Sequence, residues 1–289
     1  MTKIENKFID FINKYMVHIG IFVVALFALG IRYMARKYTG HDVQFLLYEV
    51  PGNYTPFAYR SFVAFLLGKT EHVVFILKML GYIGDAGIFV LTCILLGKKW
   101  VMQDALRIFY VLTAIMLSPV LLQSSVTGMR LDSISICFVL IAYLFYQKKN
   151  YPIVAISTML AALVAPMYWL VIVVALAGYV YSLVKKNAPK SVSYHISAAM
   201  LLVFFVLFAM VEIKTFCGFS GMGIWYELFY LFRVLGSGVA TFLLIASLKK
   251  ARLRKVALIM QVVMLVVIGY WQTYHTAIWT MIENSLNAL

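Results

Sequence analysis

An all-α, polytopic transmembrane helical bundle of about nine spans is the architecture expected for this chain, on three observations. Of its 289 residues, 64% are hydrophobic, and the mean hydropathy is +0.92. That leaves too little polar surface for a water-soluble domain. Apolar runs of membrane-spanning length recur along the chain, and such runs cross a bilayer as helices, which satisfy their own backbone polar groups. Lysine and arginine gather in short clusters between those runs, the distribution of a membrane protein with positive loops inside. The net charge of +14 therefore points to a membrane and not to nucleic acid.

Residues 1–16 come first and alternate apolar positions (Ile4, Phe8, Ile9, Phe11, Ile12) with Lys3, Lys7 and Lys14. This pattern predicts an amphipathic helix on the inner membrane surface, with no cleavable signal. Residues 17–289 then form one transmembrane domain. Its expected spans are 17–35, 71–97, 104–122, 131–147, 151–165, 167–184, 191–213, 227–248 and 256–273. Between them lie Lys98-Lys99, Lys148-Lys149, Lys185-Lys186 with Lys190, and the run Lys249, Lys250, Arg252, Arg254, Lys255. Reading 151–184 as one helix would split these clusters across the membrane. Breaking it at Pro166 puts them all inside with the N-terminus, and proline supplies the cause. The two pieces are short against the usual ~20 residues, so a helix pair that need not cross cleanly is expected. The C-terminus then lies outside. Cys93, Cys137 and Cys217 show no CxxC spacing and read as packing residues. No internal repeat is expected.

This sidedness leaves most acidic residues outside or at outer span ends: Asp42, Glu49, Glu71, Asp132, Glu212, Glu227 and Glu283. Acidic residues contribute little to topology, so an outer functional cavity is one reason for the bias. The first outer loop, 36–70, is amphipathic and aromatic (Phe45 to Tyr48, then Phe57, Tyr59, Phe62, Phe65) and is expected along the interface. His41-Asp42 follows Gly40 there. A carboxylate at that height suits a general base for an acceptor hydroxyl; the plain alternative is a solvated loop acid. The second outer loop, 123–130, leads to Arg130 and Asp132. Arg130 can grip a phosphate, whereas Asp132 can equally be a helix N-terminal carboxylate and Ser133 a surface hydroxyl.

Asp85 lies mid-span near Gly81, Gly84 and Gly87, with Lys78 seven residues earlier on the same face. An ion pair or packing role there competes with a role in a cavity. Arg32 and Arg233 lie at outer span ends. They either grip phosphate or snorkel to headgroups. The five histidines are dispersed, and no metal site is expected from them.

Two stretches resemble the GT-C glycosyltransferases, and among them bacterial membrane proteins related to the second mannosyltransferase of GPI-anchor synthesis. The first is Ile31-Arg32-Tyr33, followed by Thr39-Gly40-His41-Asp42 and Phe45-Leu46-Leu47-Tyr48. The second is Ser118-Pro119, Gln123-Ser124-Ser125 and Arg130-Leu131-Asp132-Ser133-Ile134, in the family's order and spacing. The likeness covers roughly residues 18–185. His41 is extra, Gly128-Met129-Arg130 replaces a Trp-Gly-Gln, and Ala165-Pro166-Met167 stands where a Lys-x-Gln pair is usual.

The resemblance implies a GT-C-like fold in a bacterial plasma membrane. It implies a hexosyltransferase that moves a sugar, mannose in the related group, from a polyprenyl-phosphate carrier to an acceptor on the outer face. Asp42 matches the catalytic acid of the first outer loop and Asp132 the second-loop acid. His41, Arg130, Arg32, Arg60 and Asp85 are the substrate-binding candidates. No cofactor is implied, and a divalent cation stays open, as does a membrane-protein partner. The competing expectation is a non-catalytic GT-C-like partner subunit, or a transporter of a lipid-linked sugar working through Asp85.

Overall fold

Each apolar segment expected to cross the membrane is helical in the computed structural model, which describes residues 3–37, 65, 72–96, 105–127, 131–165, 168–217, 224–247, 250 and 252–286. No strand occurs among the described residues. The helices are α1 (Lys3–Met34), α2 (Val73–Leu96), α3 (Ala105–Met116), α4 (Pro119–Leu122), α5 (Asp132–Gln147), α6 (Tyr151–Val164), α7 (Trp169–Val184), α8 (Val192–Cys217), α9 (Ile224–Ser247) and α10 (Leu253–Leu286). A 3-10 turn, Ala35–Lys37, extends α1, and a π-helical turn, Gln123–Thr127, extends α4.

Four stretches are long and apolar enough to cross a bilayer: Val73–Leu95, Phe109–Val126, Val192–Met210 and Leu253–Tyr270. Shorter apolar helices are His18–Met34, Asp132–Gln147, Tyr151–Val164, Trp169–Val184 and Gly236–Ser247. The chain is therefore a helical membrane protein. The exposed side chains agree, since Phe22, Phe27, Val174, Val203, Ile259 and Val266 are all more than half exposed and face lipid without penalty.

Two expectations change. The surface helix over 1–16 is not separate: α1 runs unbroken from Lys3 to Met34. No proline interrupts it, and Phe11 packs against Tyr15 one turn on, with tilted rings whose centroids are 4.8 Å apart. The expected outer loop 123–130 is helical as far as Thr127. Its serines are not solvated, because Ser124 and Ser125 are buried.

The break before Pro166 is present. Helix α6 stops at Val164, and Ala165 takes φ −135°, ψ 101°, the extended conformation favoured ahead of proline. The chain then turns back. Tyr151 at the start of α6 and Tyr179 near the end of α7 both pack on Tyr194 of α8, at 4.7 and 5.3 Å between centroids. Helices α6 and α7 thus form an antiparallel hairpin, and the lysine turns at 148–149 and 185–186 share one end of the bundle.

The core spreads from this hairpin. Ile136 and Leu140 of α5 meet Ile88 of α2, Val111 and Ile115 of α3, Ala161 of α6 and Leu244 of α9. A second cluster (Ala155, Ala162, Ile172, Leu201) joins α6, α7 and α8. A third (Val120, Ala240, Met264, Ile268) joins α4, α9 and α10. Ser118, at the break before Pro119, donates to Gln261 of α10 at 3.0 Å, so that break is tied to the last helix.

Candidate functional site

Four helical elements deliver polar groups to one buried point. Asp85 is midway along α2, and Gly84 beside it lets α5 come close. A Cβ on Gly84 would lie 2.7 Å from the Cβ of Ser133 and 2.8 Å from the backbone nitrogen of Ile134. Gly81, one turn earlier, admits Ser125 of the π-turn in the same way. The small face of α2 thus brings two serine hydroxyls within reach of the Asp85 carboxylate.

Arg32, two residues from the end of α1, is 2% exposed. Its Nε and Nη2 both donate to Asp85 Oδ2, at 2.9 and 2.7 Å. Its Nη1 donates to the carbonyls of Ala28 and Met116, at 3.2 and 3.1 Å. Ser133 donates to the other carboxylate oxygen, Oδ1. Ser125 Oγ lies 2.7 Å from Asp85 Oδ2 and 2.8 Å from the carbonyl of Leu121, with one proton to serve both. The charge is therefore neutralised and the lone pairs are occupied, as a buried ion pair requires. A carboxylate held this way is a tie between elements and not a free base.

Neighbouring bonds extend the junction outward. Tyr82 donates to the Arg32 carbonyl at 3.2 Å. Lys78 donates to the Arg36 carbonyl at 2.6 Å, pinning the turn that leads into residue 38. Asp132, at the first position of α5 and 5% exposed, accepts from Ser124 at 3.1 Å. Residues 37, 127 and 131, which flank the two expected outer loops, therefore lie within a few residues of this polar junction.

The candidate residues divide accordingly. Arg32 and Asp85 meet at this junction, and Asp132 lies beside it, bonded to Ser124 and next in sequence to Ser133. Asp42, His41, Arg60 and Arg130 lie outside the described residues. Three readings are corrected. Arg32 does not snorkel to headgroups, and four hydrogen bonds inside the protein engage its guanidinium. The ion-pair partner of Asp85 is Arg32, not Lys78, which sits about two turns, ~10 Å, along the helix and serves the 35–37 turn. Ser133 is not a surface hydroxyl but a fully buried donor.

Sequence reasoning missed Ser125 as a ligand of Asp85, because a run of small polar residues reads as a loop. The available signal was Ser125 four residues after Leu121, the spacing at which a serine hydroxyl bonds the preceding turn. Among the described residues no group of three or more His, Cys, Asp or Glu side chains is placed to hold a metal ion. No protein-family model matches this chain, and neither the curated proteins nor the solved structures yield a match.

Proposed function

We propose that this chain is an integral-membrane glycosyltransferase of GT-C-like architecture, with nine spans, its N-terminus in the cytoplasm and its chemistry at the outer face of the plasma membrane. One observation supports this reading. Arg32, Ser124, Ser125, Asp132 and Ser133, drawn from the two stretches that carry the resemblance, converge in space although 101 positions separate the first from the last. They lie within a few residues of positions 37, 127 and 131, which flank the two expected outer loops.

The donor is a sugar on a polyprenyl phosphate, whose apolar chain stays in the outer leaflet. Asp42 takes the proton of the acceptor hydroxyl. The hydroxyl oxygen attacks the anomeric carbon, and the bond from that carbon to the phosphate oxygen breaks on the opposite face. The electron pair leaves on the phosphate. Arg130 and Arg60 stabilise that developing charge. Arg32 and Asp85 act as positioning residues beneath the loops, since their hydrogen-bonding groups are already engaged with one another and with Ser125, Ser133 and two carbonyls. That full set of partners counts against a transporter with Asp85 as its working group.

The test is transfer of label from radiolabelled polyprenyl-phosphate sugars in membranes carrying the wild-type chain or Asp42→Asn. Product with wild type and none with an equally abundant variant supports the mechanism. Unchanged transfer removes Asp42 from it. No transfer from any donor overturns the enzyme reading in favour of the non-catalytic partner.

A further inference from the structure

The opposite end of the bundle carries a second feature, separate from the proposed transferase site, whose placement at the cytoplasmic leaflet rests on the orientation proposed above. A cavity of about 520 Å³ lies between α6, α7 and α8, within the usual ~300–1,000 Å³ of small-ligand sites. Tyr146, Tyr151, Tyr179 and Tyr194 line it, and Ser197 lies on its wall. Ser197 is 5% exposed, and its hydroxyl has no hydrogen-bond partner. A buried hydroxyl without a partner costs free energy that a ligand acceptor would recover. The cavity edge includes Val174 and Tyr181, 70% and 62% exposed, so it opens toward the lipid-facing surface.

Two turns of the same design stand at its rim. Lys148-Lys149-Asn150-Tyr151-Pro152 ends α5, and Lys185-Lys186-Asn187-Ala188-Pro189 ends α7. This short recurrence, K-K-N-x-P, escaped a reading that expected no repeat. In each turn the second lysine adopts the left-handed conformation, with φ 58° at Lys149 and 53° at Lys186. Each makes the same pair of backbone bonds. Lys149 donates to the Tyr146 carbonyl and Asn150 to that of Phe145; Lys186 donates to the Leu183 carbonyl and Asn187 to that of Ser182. This is the helix ending in which glycine is the usual residue. Lysine pays a steric penalty there that glycine avoids. Local backbone preference therefore does not explain these lysines, whereas charge does. With Lys148, Lys185 and Lys190 they place five exposed lysines on or beside the two turns whose Tyr151, Asn187 and Pro189 line the cavity.

We infer that this cavity binds an anionic phospholipid of the cytoplasmic leaflet, with its phosphate among the paired lysines and its glycerol esters against the tyrosines and Ser197. Depth and chemistry agree. Ser197 lies five residues into α8, about 7.5 Å below its start, just beneath headgroup level. Tyrosine rings suit that layer, and basic pockets between transmembrane helices on the cytoplasmic side take anionic headgroups.

The experiment uses the full chain, delipidated in an uncharged detergent. It is titrated with dioleoyl phosphatidylglycerol or dioleoyl phosphatidylcholine, and bound lipid is counted by native mass spectrometry. One phosphatidylglycerol is expected to bind roughly tenfold or more tighter than phosphatidylcholine. The double variant Lys149→Gly/Lys186→Gly should lose about tenfold of that preference while its melting temperature without lipid rises, because glycine suits both turns. Ser197→Ala should weaken both lipids by several-fold. Equal binding of the two lipids by wild type would overturn the proposal. So would a preference left intact in the glycine variant, whose raised melting temperature shows it folded. Displacement by inorganic phosphate, but not by chloride at equal ionic strength, would assign the site to a soluble phosphate and overturn the lipid.

Discussion

Removing the Asp85 carboxylate should be among the most damaging single changes in the chain. Asp85→Ala leaves the Arg32 guanidinium, 2% exposed, without its counter-charge, and it strands the hydroxyls of Ser125 and Ser133. Breaking one side of a buried ion pair costs about 3–5 kcal/mol. The stranded serines keep part of their bonding, since Ser125 still reaches the Leu121 carbonyl at 2.8 Å, so the total should stay near that range. The double variant Arg32→Met/Asp85→Leu removes both charges and fills similar volume. It should recover most of the loss, ending within about 1–2 kcal/mol of wild type. The assay is reversible unfolding in mixed micelles of wild type, both single variants (Asp85→Leu included) and the double, read as a double-mutant cycle. A coupling energy of several kcal/mol is expected. Single-variant losses below about 1 kcal/mol, or strict additivity, would refute a closed ion pair.

Other outcomes follow from named contacts. Gly84→Ala drives a methyl group into the backbone of α5 at Ile134 and should cost about 1–3 kcal/mol. Gly178→Ala, with nothing within 4 Å of the added carbon, should be neutral or stabilising by up to about 1 kcal/mol, and thermal unfolding distinguishes the two. In a chain whose native cysteines are replaced by alanine, Lys149→Cys and Lys186→Cys should label from the same side of sealed vesicles with an impermeant maleimide. Labelling from opposite sides would contradict the α6–α7 hairpin.

Helix positions were legible because apolar length and loop charge are local properties. The hairpin was legible because Pro166 acts on its own neighbour, and Ala165 does adopt the extended conformation that proline imposes. The junction was less so. Arg32 and Asp85 are 53 positions apart, and nothing local distinguishes an arginine that snorkels from one that turns inward. Lys78 was the nearer candidate only along the chain. The run Gln123-Ser124-Ser125-Val126-Thr127 looks like a loop by composition. It is helical because Ser125 is satisfied by the preceding turn and by Asp85, neither of which hydropathy registers. The twin lysine turns were seen only as charge; their shared backbone conformation depends on φ, which the charge pattern does not encode.

Stability alone is a poor account of the Arg32–Asp85 junction. Well-packed apolar side chains of similar volume serve a core as well as a buried ion pair, or better. Apolar contacts do not supply direction. Each hydrogen bond here fixes one element against another: Arg32 holds the end of α1 against α2 and the Met116 carbonyl, Ser125 holds the π-turn, and Ser133 holds the first turn of α5. Helix α1 packs chiefly along α3, so this side chain, more than backbone proximity, registers α1 against α2. A transferase whose base and phosphate grip lie on two different loops needs those loops rooted at fixed separation, because small misplacements of reacting groups cost large factors in rate. One carboxylate bonded to both roots meets that requirement. Under the proposed transferase reading, Asp85→Asn should depress kcat more than KM, even where the folded fraction is restored by lower temperature.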